Sequence, residues 1–130
     1  MIPPDDIRTR LRRALGAALK ARDAGAVSAL RSAMSAIGNA EAVDPASRPA
    51  GTGSAHFAGT VAGLGASEAQ RRLLTEADAD AIVRQEAAER EAAAGEYERG
   101  GRGAEAARLR EGARALMAVL DASRRAPGRR

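Results

Sequence analysis

The sequence predicts an all-α protein, a four-helix domain with a long glycine-rich insertion between the second and third helices. Three observations lead to this prediction. Apolar residues recur at helical spacing in four separate stretches, and residues that favour helix starts precede several of them. Alanine, the strongest helix former, supplies much of the apolar content. A chain of 130 residues suits one domain.

The first helix is predicted to begin at Asp5 or Asp6, where a carboxylate can accept hydrogen bonds from free amides after two prolines. It is predicted to run to about Arg22. Apolar residues at every fourth position form its expected inward stripe: Ile7, Leu11, Leu15 and Leu19.

The second helix is predicted to begin after a cap at Asp23 and to end near Gly38-Asn39. Because the connection at Asp23 to Gly25 is so short, we expect the first two helices to be antiparallel neighbours. The predicted inward face of the second helix consists of Val27, Leu30, Met34 and Ile37.

Residues 44–72 contain Pro45, Pro49 and a run of glycines, which break helical periodicity and predict a loop. We expect residues 46–67 to exchange amide hydrogens fast. We make one exception for Phe57, whose side chain can anchor the loop on the helical bundle.

The stretch GTVAGLG (residues 59–65) invites comparison with phosphate-binding loops. It lacks the Lys-Ser/Thr ending of a P-loop, and no GxGxxG follows a strand, so a flexible insertion is the favoured interpretation. His56 in the same segment is expected to be exposed or packed in the loop rather than catalytic.

The third helix is predicted to start at Thr75, which forms a near capping box with Asp78. Its broad apolar face comprises Ala79, Ile82, Val83, Ala87, Ala94 and Tyr97. Glu86 and Arg90 lie within this face at a spacing that suits a helical ion pair. A structural pair is the favoured interpretation, and a part in a binding site is the alternative. We expect the core to join Leu30, Met34 and Ile37 to Ile82, Val83 and Tyr97.

Gly100-Gly101 is predicted to end the third helix, and a fourth is predicted from about residue 104 to 123. Its inward residues are expected to be Leu109, Leu116 and Leu120. Residues 1–123 would then form a single domain, and residues 124–130 a basic disordered tail.

Charge is distributed unevenly along the chain. Residues 1–22 contain six basic and two acidic residues, a net charge of +4. Residues 75–98 contain two basic and eight acidic residues, a net charge of −6, and residues 99–130 contain nine basic and three acidic residues, a net charge of +6. One interpretation is that the charged helix faces are solvated and that the acidic third helix attracts its basic neighbouring helices. The other is a basic surface that contacts RNA phosphates.

The amino-acid composition excludes some kinds of functional site. The chain has no cysteine and a single histidine, so thiolate chemistry and sites with two imidazoles are excluded. No apolar run is long enough to span a membrane, and the N-terminus does not resemble a secretory signal. We expect a cytoplasmic protein that is not an enzyme, with no catalytic residue, metal or cofactor.

Two stretches of the sequence resemble, in order, the second and third helices of the GatB/YqeY family. They are LRSAMSAIGNAE (residues 30–41) and LTEADADAIVRQEAAEREAAAGEYERGGR (residues 74–102). The resemblance extends over residues 11–23, 30–41 and 74–120. The GLG at residues 63–65 and Arg71-Arg72 look like the actinobacterial, YqeY-like branch. The positions that resemble the polar signature of the family are Arg31, Asn39, Glu41, Glu86, Arg90, Gly101 and Arg102, with Tyr97 where an aromatic residue is usual.

This resemblance implies a four-helix domain related to the tail of the B subunit of the tRNA-dependent amidotransferase, a carbon-nitrogen ligase with glutamine as amido donor. Such tails contact tRNA, while catalysis takes place in other subunits. The sequence departs from the family in two ways. Leu120-Asp121 stands in place of Leu-Pro, and the second small helical subdomain expected after it is predicted to be absent. Gly112 replaces an expected glutamate, at a cost of about 1 kcal/mol relative to alanine.

The expected function is therefore non-catalytic association with tRNA or with the tRNA-amidation machinery, the protein partner being an amidotransferase or an aminoacyl-tRNA synthetase. The alternative is a helical protein-interaction module with no RNA role. The expected RNA-contacting residues come from the first helix and the tail: Arg8, Arg12, Arg13, Arg124 and Arg125.

Overall fold

The computed structural model describes residues 6–42 and 74–125, with side chains up to residue 122. These residues form four helices and no strand: α1 (Ile7–Ala21), α2 (Ala24–Ala42), α3 (Glu76–Arg99) and α4 (Gly103–Arg125). The prediction of an all-helical bundle is confirmed for this part of the chain. The insertion at 44–72, with His56, Phe57 and the span 46–67 for which fast exchange is predicted, lies outside the described residues, as do residues 126–130.

Helix α1 begins as the sequence predicts. The Asp6 carboxylate accepts a hydrogen bond from the Thr9 amide at 2.9 Å, and this backbone hydrogen bond is the main reason why the pKa of Asp6 is lowered. Stability from this cap is present above the ordinary aspartate pKa and is lost as pH falls through the lowered value.

The apolar stripe predicted on α1 is only half right. Ile7 and Leu11 are completely buried, whereas Leu15 is half-buried and Leu19 is 49% exposed. A step of four residues advances about 40° around a helix, so a strict spacing of four moves gradually off the core side. Ala18 occupies the inward position instead.

Helix α2 starts at the predicted cap, where the Asp23 carboxylate accepts a hydrogen bond from the Ala26 amide at 3.1 Å. The predicted end at Gly38-Asn39 is wrong, because α2 continues to Ala42. An ion pair between Arg8 and Glu41 joins the start of α1 to the end of α2. This pair shows that the two helices are antiparallel, and it ties down the additional turn.

The capping box predicted for α3 is present in both directions. The Thr75 hydroxyl accepts from the Asp78 amide at 3.0 Å, and the Asp78 carboxylate accepts from the Thr75 amide at 3.2 Å. The helix ends at Arg99 with Gly100 as its C-cap, and Gly101 adopts the left-handed φ of 80°. The connection to α4 is therefore the predicted glycine turn.

The core lies between α2, α3 and α4, with α1 covering one side. Leu30, Ile37 and Val83 are buried as predicted, and Met34 and Ile82 are half-buried against them. Tyr97 is the exception, because it is half-buried beside the first turns of α2 rather than in the core. The core is completed by alanines and by residues of α4: Ala29, Ala33, Ala87, Ala113, Leu116, Val119 and Leu120.

Helix α4 runs slightly beyond its predicted ends, to Gly103 and Arg125. Leu116 and Leu120 are buried as expected, and Leu109 is half-buried. Gly112, predicted as a weak helix position, has a specific packing role. A Cβ on it would lie 2.8 Å from the Ala29 Cβ and 2.8 Å from the Gly25 carbonyl oxygen. Helices α2 and α4 therefore cross where only a hydrogen atom fits.

Candidate functional site

The exposed face of α1 carries the predicted RNA-contacting arginines of the first helix. Arg12 and Arg13 are exposed, and Lys20 extends the same face toward the end of the helix. Arg8 is half-buried and already paired with Glu41. Arg12 is therefore better placed than Arg8 to meet a partner, and Arg13 is more exposed than Arg8.

The end of α4 lies beside this basic helix. A groove of about 420 Å³ has Arg10 and Arg13 of α1 on one side and Ala118 and Ala122 of α4 on the other. The backbone of Arg124 and Arg125 continues α4 by one further turn, and their side chains lie outside the described residues. The two basic segments that sequence analysis singled out are thus neighbours in space.

The acidic charge of α3 is placed mainly away from α1. These helices meet near their first turns, where the Ile7 amide donates to the Glu76 carboxylate at 3.2 Å. Farther along, Arg110 of α4 pairs with Glu98 at 2.7 Å and approaches Glu91 at 3.9 Å. Part of the charge asymmetry is therefore internal complementarity between α3 and α4.

A polar network crosses the apolar face of α3. The Arg90 guanidinium donates to Glu86 at 2.9 Å, and both side chains are only 17% exposed. The Ser32 hydroxyl of α2 donates to the same Glu86 oxygen at 3.0 Å. The predicted ion pair is confirmed, and Ser32 is a partner that sequence analysis missed. Its spacing from Glu86 in the sequence gives no signal of this contact.

We expect Arg90→Ala to lower the free energy of unfolding by about 1–3 kcal/mol, because it leaves the half-buried Glu86 carboxylate without its cation. The tRNA affinity of the folded fraction should not change. Urea denaturation measures the loss. Arg84→Ala is the matched control, because Arg84 makes the same i, i+4 contact with Asp80 at 2.8 Å but is 51% exposed. Its loss should be about 0.5 kcal/mol or less. Equal losses in the two variants would contradict the structural role of Arg90.

Tyr97 in the last turn of α3 and Arg102 just before α4 lie on either side of the glycine turn between these helices. The Arg102 guanidinium stacks over the Tyr97 ring at 5.0 Å and donates to Glu105 at 3.0 Å. The pKa of Glu105 is lowered by hydrogen bonds from its own backbone amide and from Arg102. These contacts, together with the left-handed Gly101, give three of the signature positions a role in shaping the turn.

A pocket of about 220 Å³ opens between the first turns of α2 and the α3–α4 turn. Its polar lining comes from Ser28, Arg90, Tyr97, Glu105 and Arg108. The remaining signature residues do not join it: Arg31 and Asn39 are exposed elsewhere on α2, and Glu41 pairs with Arg8. The eight signature positions therefore do not form one site.

Neither a metal site nor a membrane span is found in the described part of the chain. Within residues 6–42 and 74–125, no three or more histidine, cysteine, aspartate or glutamate side chains are grouped to hold a metal ion. In the same ranges, no helix is both long enough and apolar enough to cross a bilayer.

No family model matches the chain, and neither a curated protein nor a solved structure shows significant similarity to it.

Proposed function

We propose that this chain is a non-catalytic, GatB/YqeY-like helical protein that associates with tRNA or with the tRNA-amidation machinery. The observation that carries the proposal is the position of the basic segments. Arg13 of α1 faces the end of α4 across their groove. Helix α3 meets α1 at Glu76 in its first turn, whereas Glu91 and Glu98 lie beside Arg110 of α4. The proposal names tRNA because residues 11–23, 30–41 and 74–120 resemble a family related to amidotransferase tails that contact tRNA.

The proposed contact is with the phosphate backbone. Arg12 and Arg13 are exposed on α1 and supply positive charge. Among the described residues the one aromatic side chain, Tyr97, lies near the α3–α4 turn rather than beside them. Long flexible cations on a helix face can follow phosphates, whereas reading single-stranded bases requires stacking side chains. Recognition of RNA shape, rather than of sequence, follows from this set of side chains.

The groove between α1 and α4 favours a second candidate function, that of a protein-interaction module. Its walls include Ala14, Ala17, Ala118 and Ala122, and small residues allow another helix to approach closely. In this alternative the groove receives a helix of a partner protein, and RNA has no part.

Binding of unfractionated tRNA across a series of salt concentrations separates the two functions. For phosphate contacts, the logarithm of the binding constant should fall linearly with the logarithm of salt concentration. We expect clear retention at low salt and a steep loss as salt is added. Absence of retention even at low salt would exclude the RNA function and leave the interaction module.

A further inference from the structure

An exposed surface at the turn between α1 and α2 combines apolar and basic side chains. Leu19 is 49% exposed, and only it and Met117 among the described residues are large hydrophobic side chains left open to solvent. Leu19 lies in a shallow depression of about 640 Å³. We call this depression the turn surface, and the residues that line it are Leu19, Arg22, Ala24, Val27, Ser28 and Arg31.

The two arginines of the turn surface have no acidic partner. Arg22 and Arg31 are exposed, and within residues 6–42 and 74–122 neither guanidinium forms an ion pair or hydrogen bond. Arg22 also has a left-handed backbone, with φ of 56° and ψ of 40°, at the end of α1. Glycine is the usual residue in this conformation, which costs other residues about 1–2 kcal/mol. Arg22 is the C-cap of α1, and its amide donates to the Leu19 carbonyl oxygen at 3.1 Å, so this conformation closes the helix and leaves the side chain at an exposed turn.

Positive charge continues on the other side of α2. Ala24 and Ser28 also line the 220 Å³ pocket that contains Arg108, so the first two turns of α2 lie between Arg22 and Arg108. Two of the nearby acids are already hydrogen-bonded. The Asp23 carboxylate accepts from the Ala26 amide at 3.1 Å, and Glu105 accepts from Arg102 at 3.0 Å.

We propose that the turn surface binds a short, acidic, amphipathic segment of a partner protein. An apolar side chain of that segment contacts Leu19 and Val27, and carboxylates on either side of it pair with Arg22 and Arg31. The apolar centre favours a protein over RNA, because a phosphate backbone has no apolar group to cover Leu19. Arg22 lies ten residues after Arg12, about 15 Å along the helix axis, so this site is separate from the Arg12 and Arg13 contacts of the proposed RNA surface.

Three labelled peptides of equal length test the proposal by fluorescence anisotropy with the full chain. The first alternates pairs of glutamate with leucine, the second replaces leucine by serine, and the third replaces glutamate by lysine. We expect the chain to bind the glutamate-leucine peptide and to bind the other two at least about tenfold more weakly. The double variant Arg22→Glu, Arg31→Glu and the single variant Leu19→Ser should each lose about tenfold or more for the first peptide.

The variant Arg12→Glu, Arg13→Glu should bind that peptide as the wild type does, which separates this site from the RNA surface. Equal binding of the serine and leucine peptides would overturn the proposal, because the apolar centre would then contribute nothing. It would also be overturned if the first peptide failed to bind, or if reversal of Arg22 and Arg31 weakened tRNA binding but not peptide binding. A measured thermal transition for each variant confirms that all of them are folded.

Discussion

Gly25→Ala is expected to lower the free energy of unfolding by about 3 kcal/mol. A Cβ at this position would lie 2.3 Å from the Arg108 carbonyl oxygen and 3.2 Å from the Glu111 Cβ. The Arg108 carbonyl oxygen belongs to the backbone and cannot rotate away, so α2 and α4 must separate. Better helix propensity returns only about 1 kcal/mol. The midpoint of urea denaturation measures the net effect.

Gly38→Ala is the matched control for this substitution. Gly38 lies in the same helix, and nothing is within 4 Å of the position its Cβ would take. The control should therefore gain about 0.5–1 kcal/mol from helix propensity alone. If Gly25→Ala were as stable as Gly38→Ala, the close crossing of α2 and α4 would be wrong.

The double variant Arg12→Glu, Arg13→Glu is expected to abolish binding of tRNA, with a loss of about a hundredfold or more at low salt. Both side chains are exposed on α1, and Arg13 lines the groove beside the end of α4. Reversing their charge replaces phosphate attraction by repulsion. The fold should persist, because Ile7 and Leu11 on the buried face are unchanged. Helical circular dichroism and a thermal transition verify this.

A charge-matched control distinguishes a local contact from an effect of net charge. The variant Arg31→Glu, Arg108→Glu makes the same change in net charge at two exposed positions near the α1–α2 turn. It should keep most of the tRNA affinity. Equal losses in the two double variants would mean that only the total charge of the protein matters and that α1 is not the contact.

The features that sequence predicted best are those determined by neighbours in the chain. The caps at Asp6, Asp23 and Thr75 each depend on an amide three residues away. The Glu86–Arg90 pair likewise depends on one turn of helix. Because these interactions are local, a single sequence contains all the information they need.

Features that depend on another helix could not be predicted in this way. Position 112 requires glycine because Ala29 on α2 lies too close for a side chain. Helix α2 continues past Gly38, and Glu41 in this extension contacts Arg8 on α1. The exposure of Leu19 depends on the direction in which the core lies, which the spacing of α1 alone does not give.

In the candidate site, too, the sequence predicted local features but not those that depend on another helix. Sequence located the basic segments, since charge is read directly from composition. It did not show that Arg8 has an internal partner, that Ser32 completes the Glu86 network, or that Arg22 adopts a left-handed conformation. Each of these facts depends on a partner helix or on the geometry of a turn.

The most direct test of the proposed function is amide hydrogen exchange of the full chain with and without saturating tRNA. We expect added protection in α1 and in the last turns of α4, around residues 118–125, and none in the middle of α3. Protection concentrated on α3, or no change anywhere at a salt concentration where tRNA binds, would contradict an RNA surface formed by α1 and the end of α4.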